Sequence, residues 1–118
     1  MKPLSGLYLL TDHHLTEKPG LVPAVAAAIQ GGASMIQYRN KHANRERKLW
    51  EIHDLITLCH PFNIPLIVND ETDLAAETGA DGVHLGTEDG AVSDARKQLG
   101  EEAIIGVSWY NSLNRARE

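Results

Sequence analysis

Residues 65–89 read PLIVNDETDLAAETGADGVHLGTED and decide the fold, because they contain the pattern of a strand, a helix and a second strand. The apolar run Pro65–Asn69 predicts a buried strand, Thr72–Thr78 a short helix, and Gly82–Leu85 another buried strand. Gly79 suits the left-handed cap that ends a helix just before such a strand. A strand, crossover helix and strand of this kind form a right-handed βαβ unit of a parallel sheet.

The same alternation continues on both sides of this unit. Three further strands are predicted at Gly6–Asp12, Met35–Arg39 and Ala103–Ser108. Four further helices are predicted. The first begins at Leu21 and ends at Gly31-Gly32, and the second spans Arg45–His60. The third carries the apolar stripe Val92, Ala95 and Leu99, and the last starts within Asn111–Glu118. Strict alternation with short connections predicts an α/β protein with a parallel sheet. Pattern alone leaves two architectures open: a doubly wound open sheet, or the first part of an eight-stranded barrel.

Two features favour the barrel. No Gly-x-Gly-x-x-Gly motif follows any predicted strand, and the first strand ends in Thr11-Asp12-His13-His14 instead. Polar residues follow several different strands, which is where a (β/α)₈ barrel carries its chemistry. We therefore predict a (β/α)₈ TIM barrel of which about the first five strands and four helices are present.

Composition excludes several classes of protein. The 118 residues suffice for one ordinary domain, and sixteen acidic against eleven basic residues give a net charge of −5, without the basic stripe of a nucleic-acid binder. No apolar stretch approaches the ~20 residues of a membrane span, and no export signal is seen, so a cytoplasmic location is expected. Cys59 is the only cysteine, which excludes an internal disulfide and a cysteine-based zinc site.

The segment Gln37-Tyr38-Arg39-Asn40-Lys41 is the first candidate site. Residues 37, 39 and 41 share one face of an extended chain because side chains alternate with period two. An Arg fork with a neighbouring Lys suits a monophosphate or a diphosphate. The alternative is a strand that ends in solvated charges, although burial of Gln37 and Arg39 without partners would be costly.

Acidic residues follow the next two strands. Asp70 comes directly after Asn69, and Asp89 follows the fourth strand. Each has a structural alternative: Asp70 or Thr72 caps the short helix, and Asp89 complements a helix dipole. Carboxylates beside the cations of the preceding strand instead fit a site in which Mg²⁺ bridges the protein to a pyrophosphate.

Two more residues have open interpretations. Ser108, at the end of the fifth strand, is either a hydrogen-bond donor for a phosphate or heterocycle, or an ordinary helix-start residue. His84 lies in a buried strand and faces either the barrel interior or the helices, with a satisfied core histidine as the safer interpretation.

Four segments together resemble thiamine-phosphate synthases, in family order and spacing over the whole chain. They are Gln37-x-Arg39-x-Lys41, Val68-Asn69-Asp70, Ala80-Asp81-Gly82-Val83-His84-Leu85-Gly86-x-Glu88-Asp89 and Gly106-Val107-Ser108. The resemblance implies a (β/α)₈ barrel that condenses hydroxymethylpyrimidine diphosphate with thiazole phosphate, giving thiamine phosphate and pyrophosphate. No protein nucleophile is needed, because the thiazole nitrogen attacks the pyrimidine methylene.

The resemblance also implies roles for individual residues. Arg39 and Lys41 would be catalytic, Mg²⁺ would be held by Asp70 and Asp89, and the pyrimidine diphosphate would be bound by Gln37, Arg39, Lys41, Asn69 and Ser108. Thr87 stands where the family usually has Gln, and Asn40 replaces an acidic residue common between the Arg and the Lys, which removes one salt bridge.

The family's later strands are a further departure, because they are missing here together with their thiazole-phosphate loops. Residues 1–118 are therefore interpreted as the N-terminal portion of a single barrel domain, truncated in the fifth βα unit and expected to be inactive alone. Strands one and five would expose unpaired edges, so a homo-oligomer is expected beside the two small-molecule substrates. Neither nucleic acid nor membrane is an expected partner.

Two alternative functions remain. A non-catalytic phosphate-binding half-barrel, or an inactive fragment, would keep the phosphate-binding residues without turnover. A thiazole tautomerase shares the fold, but the presence of both Asp70 and Asp89 argues against it.

Overall fold

The computed structural model describes residues 7–11, 20–86 and 89–107, without the side chains of residues 7, 8 and 89–91. Within these residues strands and helices alternate along the chain, as predicted. The strands are β1 (Leu7–Leu10), β2 (Ala33–Tyr38), β3 (Leu66–Asn69), β4 (Gly82–Leu85) and β5 (Ile104–Val107). The helices are α1 (Leu21–Gln30), α2 (Arg45–Cys59), α3 (Thr72–Thr78) and α4 (Asp89–Leu99), with a 3₁₀ turn at His60–Phe62.

The five strands form one sheet in the order β1-β2-β3-β4-β5, and every neighbouring pair is parallel. A doubly wound sheet reverses its strand order at a switch point, whereas a barrel adds each new strand beside the last. The described strands follow the second rule. The α/β class and the parallel five-stranded sheet are therefore confirmed, and the doubly wound alternative is wrong for these strands.

The sheet has two different faces. One face carries Ile36, Val68 and Val83, which pack with the helices into the hydrophobic core. Helix α2 supplies Leu55 to this core, where it is fully buried. The alternate positions of the strands, including Gln37, lie on the opposite face because side chains alternate along a strand. Gln37 lies on that face near the carboxyl end of β2.

Local sequence explains where the elements stop. Asn44 caps α2, since its side chain accepts a hydrogen bond from the backbone nitrogen of Arg47. The helix ends at Cys59, one residue before the predicted end, because His60 already belongs to the 3₁₀ turn that contains Pro61. Gly79 ends α3 with φ +79°, which is the left-handed cap predicted for it.

Some predictions fall outside the described residues: the helix at 111–118, Ser108, and Thr87. Among the helices that the structure does describe, none has the length and apolarity required to cross a membrane.

Candidate active site at the carboxyl ends of the strands

The structure brings together the two predicted amide side chains of β2 and β3. The Asn69 Nδ2 atom donates a hydrogen bond to Gln37 Oε1 at 2.9 Å. Gln37 is only 4% exposed, so this bond satisfies a polar group that would be expensive to bury alone. The pair lies on the sheet face away from the helices and fixes two hydrogen-bonding side chains near the ends of adjacent strands.

The backbone at the end of β2 is tied to the end of β1. Thr11 is fully buried; its backbone nitrogen donates to Gln37 O at 2.9 Å, and its Oγ1 accepts from the backbone nitrogen of Arg39 at 3.1 Å. Arg39 is half-buried and Lys41 is exposed. Among the residues with described side chains, neither cation forms an ion pair, so both charges remain available to an anion at this edge.

Asn40 lies between these two cations and is 8% exposed. Its Oδ1 accepts from the backbone nitrogens of His42 and Ala43, at 3.0 and 3.2 Å, and so organises the turn that carries Lys41. Its Nδ2 donates to Glu51 Oε1 at 3.0 Å. From the sequence alone, Asn40 indicated only the loss of a salt bridge. The structure shows that its Nδ2 atom donates a hydrogen bond, which an ionised carboxylate at this position could not do.

Glu51 is the centre of this network, although nothing in the sequence motifs singled it out. Besides Asn40, it accepts from Tyr38 Oη at 2.6 Å and from Arg47 Nε at 3.0 Å, while only 7% exposed. Burial and the neighbouring Glu51 carboxylate raise the pKa of Tyr38 far above its ordinary value, so this hydroxyl remains a donor. The only local signal was the spacing of Arg47 and Glu51, four residues apart on one helix.

Asp70 has a backbone conformation that non-glycine residues rarely adopt. Its φ is +62°, in the left-handed region, and its backbone nitrogen donates to His84 O at 2.7 Å. Helix α3 has Glu71 at its N-cap and no side-chain capping bond. The capping alternative for Asp70 or Thr72 is therefore wrong, and the exposed Asp70 carboxylate has no capping task.

A cavity of about 350 Å³ lies beside this carboxylate. It is lined by Arg45, Asp70, Glu71, Thr72, Asp73 and Leu74. Glu71 is held by Lys48 of α2, whose Nζ lies 2.9 Å from Glu71 Oε2. Arg45 is paired with Glu77 of α3. The loop after β3 and helix α3 are thus each tied to α2 by an ion pair.

His84 lies on the same sheet face as the amide pair, not in the apolar core. A Cβ atom added to Gly106 of β5 would come within 2.8 Å of His84 Nδ1, which places the ring over that glycine. Of the two faces left open for His84, the structure supports the interior one, and His84 does not lack an interaction partner, in keeping with a satisfied histidine. Gly106 leaves room for the imidazole.

The two remaining predicted site residues are only partly placed. Asp89 begins α4, just beyond the carboxyl end of β4, but its side chain lies outside the description, as does all of Ser108. The described residues contain no group of three or more His, Cys, Asp or Glu that could hold a metal ion. Magnesium is commonly bound by one or two carboxylates with substrate oxygens, so such a group is not required for the predicted site.

Comparison with known proteins gives consistent matches. The family model described as thiamine monophosphate synthase matches residues 7–118. The thiamine-phosphate synthase of Nitrosococcus oceani is 51% identical over 113 residues, which are 96% of this chain and 52% of that protein. The Marinobacter nauticus thiamine-phosphate synthase is 46% identical over 112 residues, 95% of this chain and 50% of that protein.

A solved structure agrees with these matches. The thiamine phosphate pyrophosphorylase from Pyrococcus furiosus superposes with a TM-score of 0.74 at 32% identity, covering 94% of this chain and 55% of that one. This chain therefore spans about half the length of the relatives that it matches.

Proposed function

This chain belongs to the thiamine monophosphate synthase family, and from that premise we propose that its strand ends bind the diphosphate substrate of a thiamine-phosphate synthase. The reaction joins hydroxymethylpyrimidine diphosphate to thiazole phosphate through a new carbon–nitrogen bond and releases pyrophosphate. It is a transferase reaction of thiamine biosynthesis. A cytoplasmic location and self-association stay predictions from the sequence.

The observation that carries this proposal is the state of Asp70. A non-glycine residue at φ +62° costs free energy, and such strain concentrates at sites of function. The Asp70 carboxylate is exposed, lines a cavity and caps no helix. The cations Arg39 and Lys41 follow the neighbouring strand, so charges of both signs occupy one end of the sheet.

The donor set fits Mg²⁺. Asp70 offers hard carboxylate oxygens, and the backbone places Asp89 after the adjacent strand β4. We propose that these two residues hold the ion. When bound, Mg²⁺ would supply positive charge to the departing pyrophosphate.

The protein groups have a mainly electrostatic task in this proposal. As the bond between the pyrimidine methylene and the pyrophosphate breaks, negative charge grows on the phosphate oxygens, and Arg39 and Lys41 stabilise it. Gln37, Asn69 and Ser108 would orient the pyrimidine diphosphate by hydrogen bonds. The electron-rich pyrimidine stabilises the cationic methylene until the thiazole nitrogen attacks it.

Titration calorimetry of the 118-residue chain with hydroxymethylpyrimidine diphosphate, with and without Mg²⁺, tests the proposal. We expect binding that depends on Mg²⁺ and that Asp70→Asn weakens about 10-fold or more, which is about 1.4 kcal/mol per factor of ten. Asp73→Asn is the matched control, because Asp73 lines the same cavity but accepts a hydrogen bond from Gln98. Equal affinity of Asp70→Asn and the unaltered chain would refute the metal assignment.

A turnover assay with thiazole phosphate, run beside the titration, separates the alternatives. Formation of thiamine phosphate would establish the synthase activity in this chain. Binding without product would favour the phosphate-binding half-barrel as the function of this chain. Absence of binding would contradict both the synthase and the half-barrel as functions of this chain.

A further inference from the structure

We propose that the hydrogen bond between Asn40 and Glu51 is a positioning device: it fixes the turn that carries Arg39 and Lys41 before a diphosphate binds. This inference rests on the proposed function for its purpose. Neither Asn40 nor Glu51 is assigned to contact the substrate; both act on the backbone that bears the two cations.

Both ends of the Asn40 side-chain amide form hydrogen bonds. The Oδ1 atom accepts two successive backbone nitrogens, those of His42 and Ala43, in the manner of an Asx turn. The Nδ2 atom donates to Glu51 Oε1 at 3.0 Å. One side chain therefore links the turn after β2 to the middle of helix α2, and the segment 39–41 has little freedom left at its centre.

Glu51 is itself anchored by several donors. Its Oε1 also accepts from Tyr38 Oη, and Tyr38 is 1% exposed on β2. The residue beside Glu51 in α2, Ile52, is fully buried in the core. A carboxylate held by donors from a strand, a turn and its own helix has one favourable position. Asn40 donates its hydrogen bond to the carboxylate in that position.

Only an amide at position 40 can both accept from the two backbone nitrogens and donate to the Glu51 carboxylate. An acidic residue at position 40 could accept from the two backbone nitrogens, but it would place its second oxygen against the Glu51 carboxylate, where Nδ2 now lies at 3.0 Å. Like charges at that separation repel strongly in a buried site. Asn40 and Glu51 are thus a matched pair, and the match determines which residue position 40 accepts.

The consequence concerns the cost of binding. Two long cationic side chains on a mobile turn lose entropy when an anion orders them, whereas a turn held in advance has less to lose. The Asn40–Glu51 bond therefore raises affinity for a diphosphate without touching it.

A charge-neutral exchange of the two residues tests this inference. Asn40→Asp should weaken binding of inorganic pyrophosphate with Mg²⁺ about 10-fold and accelerate amide hydrogen exchange at His42 and Ala43 by a similar factor. In the double variant Asn40→Asp with Glu51→Gln, the Gln amide nitrogen takes the place of Oε1 and can donate one hydrogen to the new carboxylate and the other to Tyr38 Oη, at unchanged net charge. Both measurements should then return to within about 3-fold of the unaltered chain, as coupling in a double-mutant cycle requires.

Asn44→Asp is the control for added charge. It introduces the same negative charge four positions away, and aspartate caps a helix as well as asparagine does. We expect it to leave exchange at His42 and Ala43 unchanged. If Asn40→Asp proves unfolded by circular dichroism, Asn40→Ala takes its place, with the same expected losses, because it removes donor and acceptor without adding charge.

Two results would overturn the inference: unchanged amide exchange at His42 and Ala43 in the folded single variant, or a folded double variant that stays as weak in binding as Asn40→Asp. If the unaltered chain fails to bind pyrophosphate with Mg²⁺, the proposed function falls. The exchange measurements still decide whether the pair fixes the turn.

Discussion

Replacing Asp70 by glycine separates its structural cost from its proposed function. Asp70 has φ +62°, a conformation that glycine adopts without a steric penalty. Its carboxylate makes no capping bond to α3, so removal of the side chain sacrifices no helix cap. We therefore expect Asp70→Gly to fold at least as stably as the unaltered chain while losing Mg²⁺-dependent diphosphate binding.

The size of the stability effect follows from two opposing terms. The left-handed conformation costs an L-residue roughly 1–2 kcal/mol, and less for aspartate than for most residues. The glycine variant loses about 0.5–1 kcal/mol of the stability gained from strain relief, because its unfolded chain has greater conformational freedom. The net change should lie between zero and about 0.5 kcal/mol of stabilisation, a rise in Tm of about 2 °C at most for a chain of this length. Asp70→Ala keeps the strain and should be about 1 kcal/mol less stable than Asp70→Gly.

Asn63 provides a matched control at the other end of β3. It has φ 58°, and it ends the 3₁₀ turn shortly before Leu66, away from the candidate site. Asn63→Gly relieves the same kind of strain and should leave binding within about 2-fold of the unaltered chain, because it removes no charge near the cations.

Urea unfolding followed by circular dichroism gives the free energies, and titration calorimetry with pyrophosphate and Mg²⁺ gives the affinities. A loss of more than about 1 kcal/mol in Asp70→Gly would show that the side chain, not the backbone strain, dominates stability at this position. Retention of Mg²⁺-dependent affinity in Asp70→Gly would show that the carboxylate is not a metal ligand.

Three further predictions concern stability. Tyr38→Phe removes the 2.6 Å bond to buried Glu51 and should cost about 1.5–3 kcal/mol in urea unfolding, the range for hydrogen bonds to charged groups; a change below 0.5 kcal/mol would contradict this role. Asp81→Ala frees the Leu66 nitrogen now held at 2.8 Å and should cost about 1–3 kcal/mol, whereas exposed Asp94→Ala should be nearly neutral. Burial, with a smaller contribution from Asp81, raises the pKa of Cys59 from its ordinary 9.0 to about 11, so the free energy of unfolding should fall as pH rises through this range; Cys59→Ala should abolish that part of the pH dependence.

Local signals in the sequence were sufficient for the βαβ unit at its centre. Helix α3 at Thr72–Thr78 and strand β4 at Gly82–Leu85 have the predicted bounds, because an apolar run and the left-handed Gly79 determine them within a few residues. The strand order was not accessible in the same way. Apolar periodicity shows that a strand is buried but not which strand lies beside it. The sequence favoured the barrel only through the absent Gly-x-Gly-x-x-Gly motif and the polar strand ends, and the observed pairing gave the strand order itself.

Some features of the candidate site could likewise be predicted from the sequence and others could not. The meeting of Gln37 and Asn69 could be predicted, since both lie near the carboxyl ends of strands on one sheet face. The positive φ of Asp70 could not, because helix capping is the usual reason for an acidic residue before a helix. Glu51 was hidden for a related reason: an acidic residue in an amphipathic helix usually faces solvent, and its partner Asn40 lies in a loop eleven positions away.

Helix α2 joins the two halves of the proposed site. Glu51 holds the turn with Arg39 and Lys41 through Asn40, and three residues earlier Lys48 holds Glu71, the neighbour of Asp70, at 2.9 Å. Positions three apart lie on the same side of a helix, so one helix surface contacts the loops after both β2 and β3. The same helix buries Leu55 completely in the core. The cations and the proposed metal ligand thus follow different strands, but the loops that carry them are both held by α2. This explains how exposed charges at the strand ends can be held in a defined arrangement without pairing with each other.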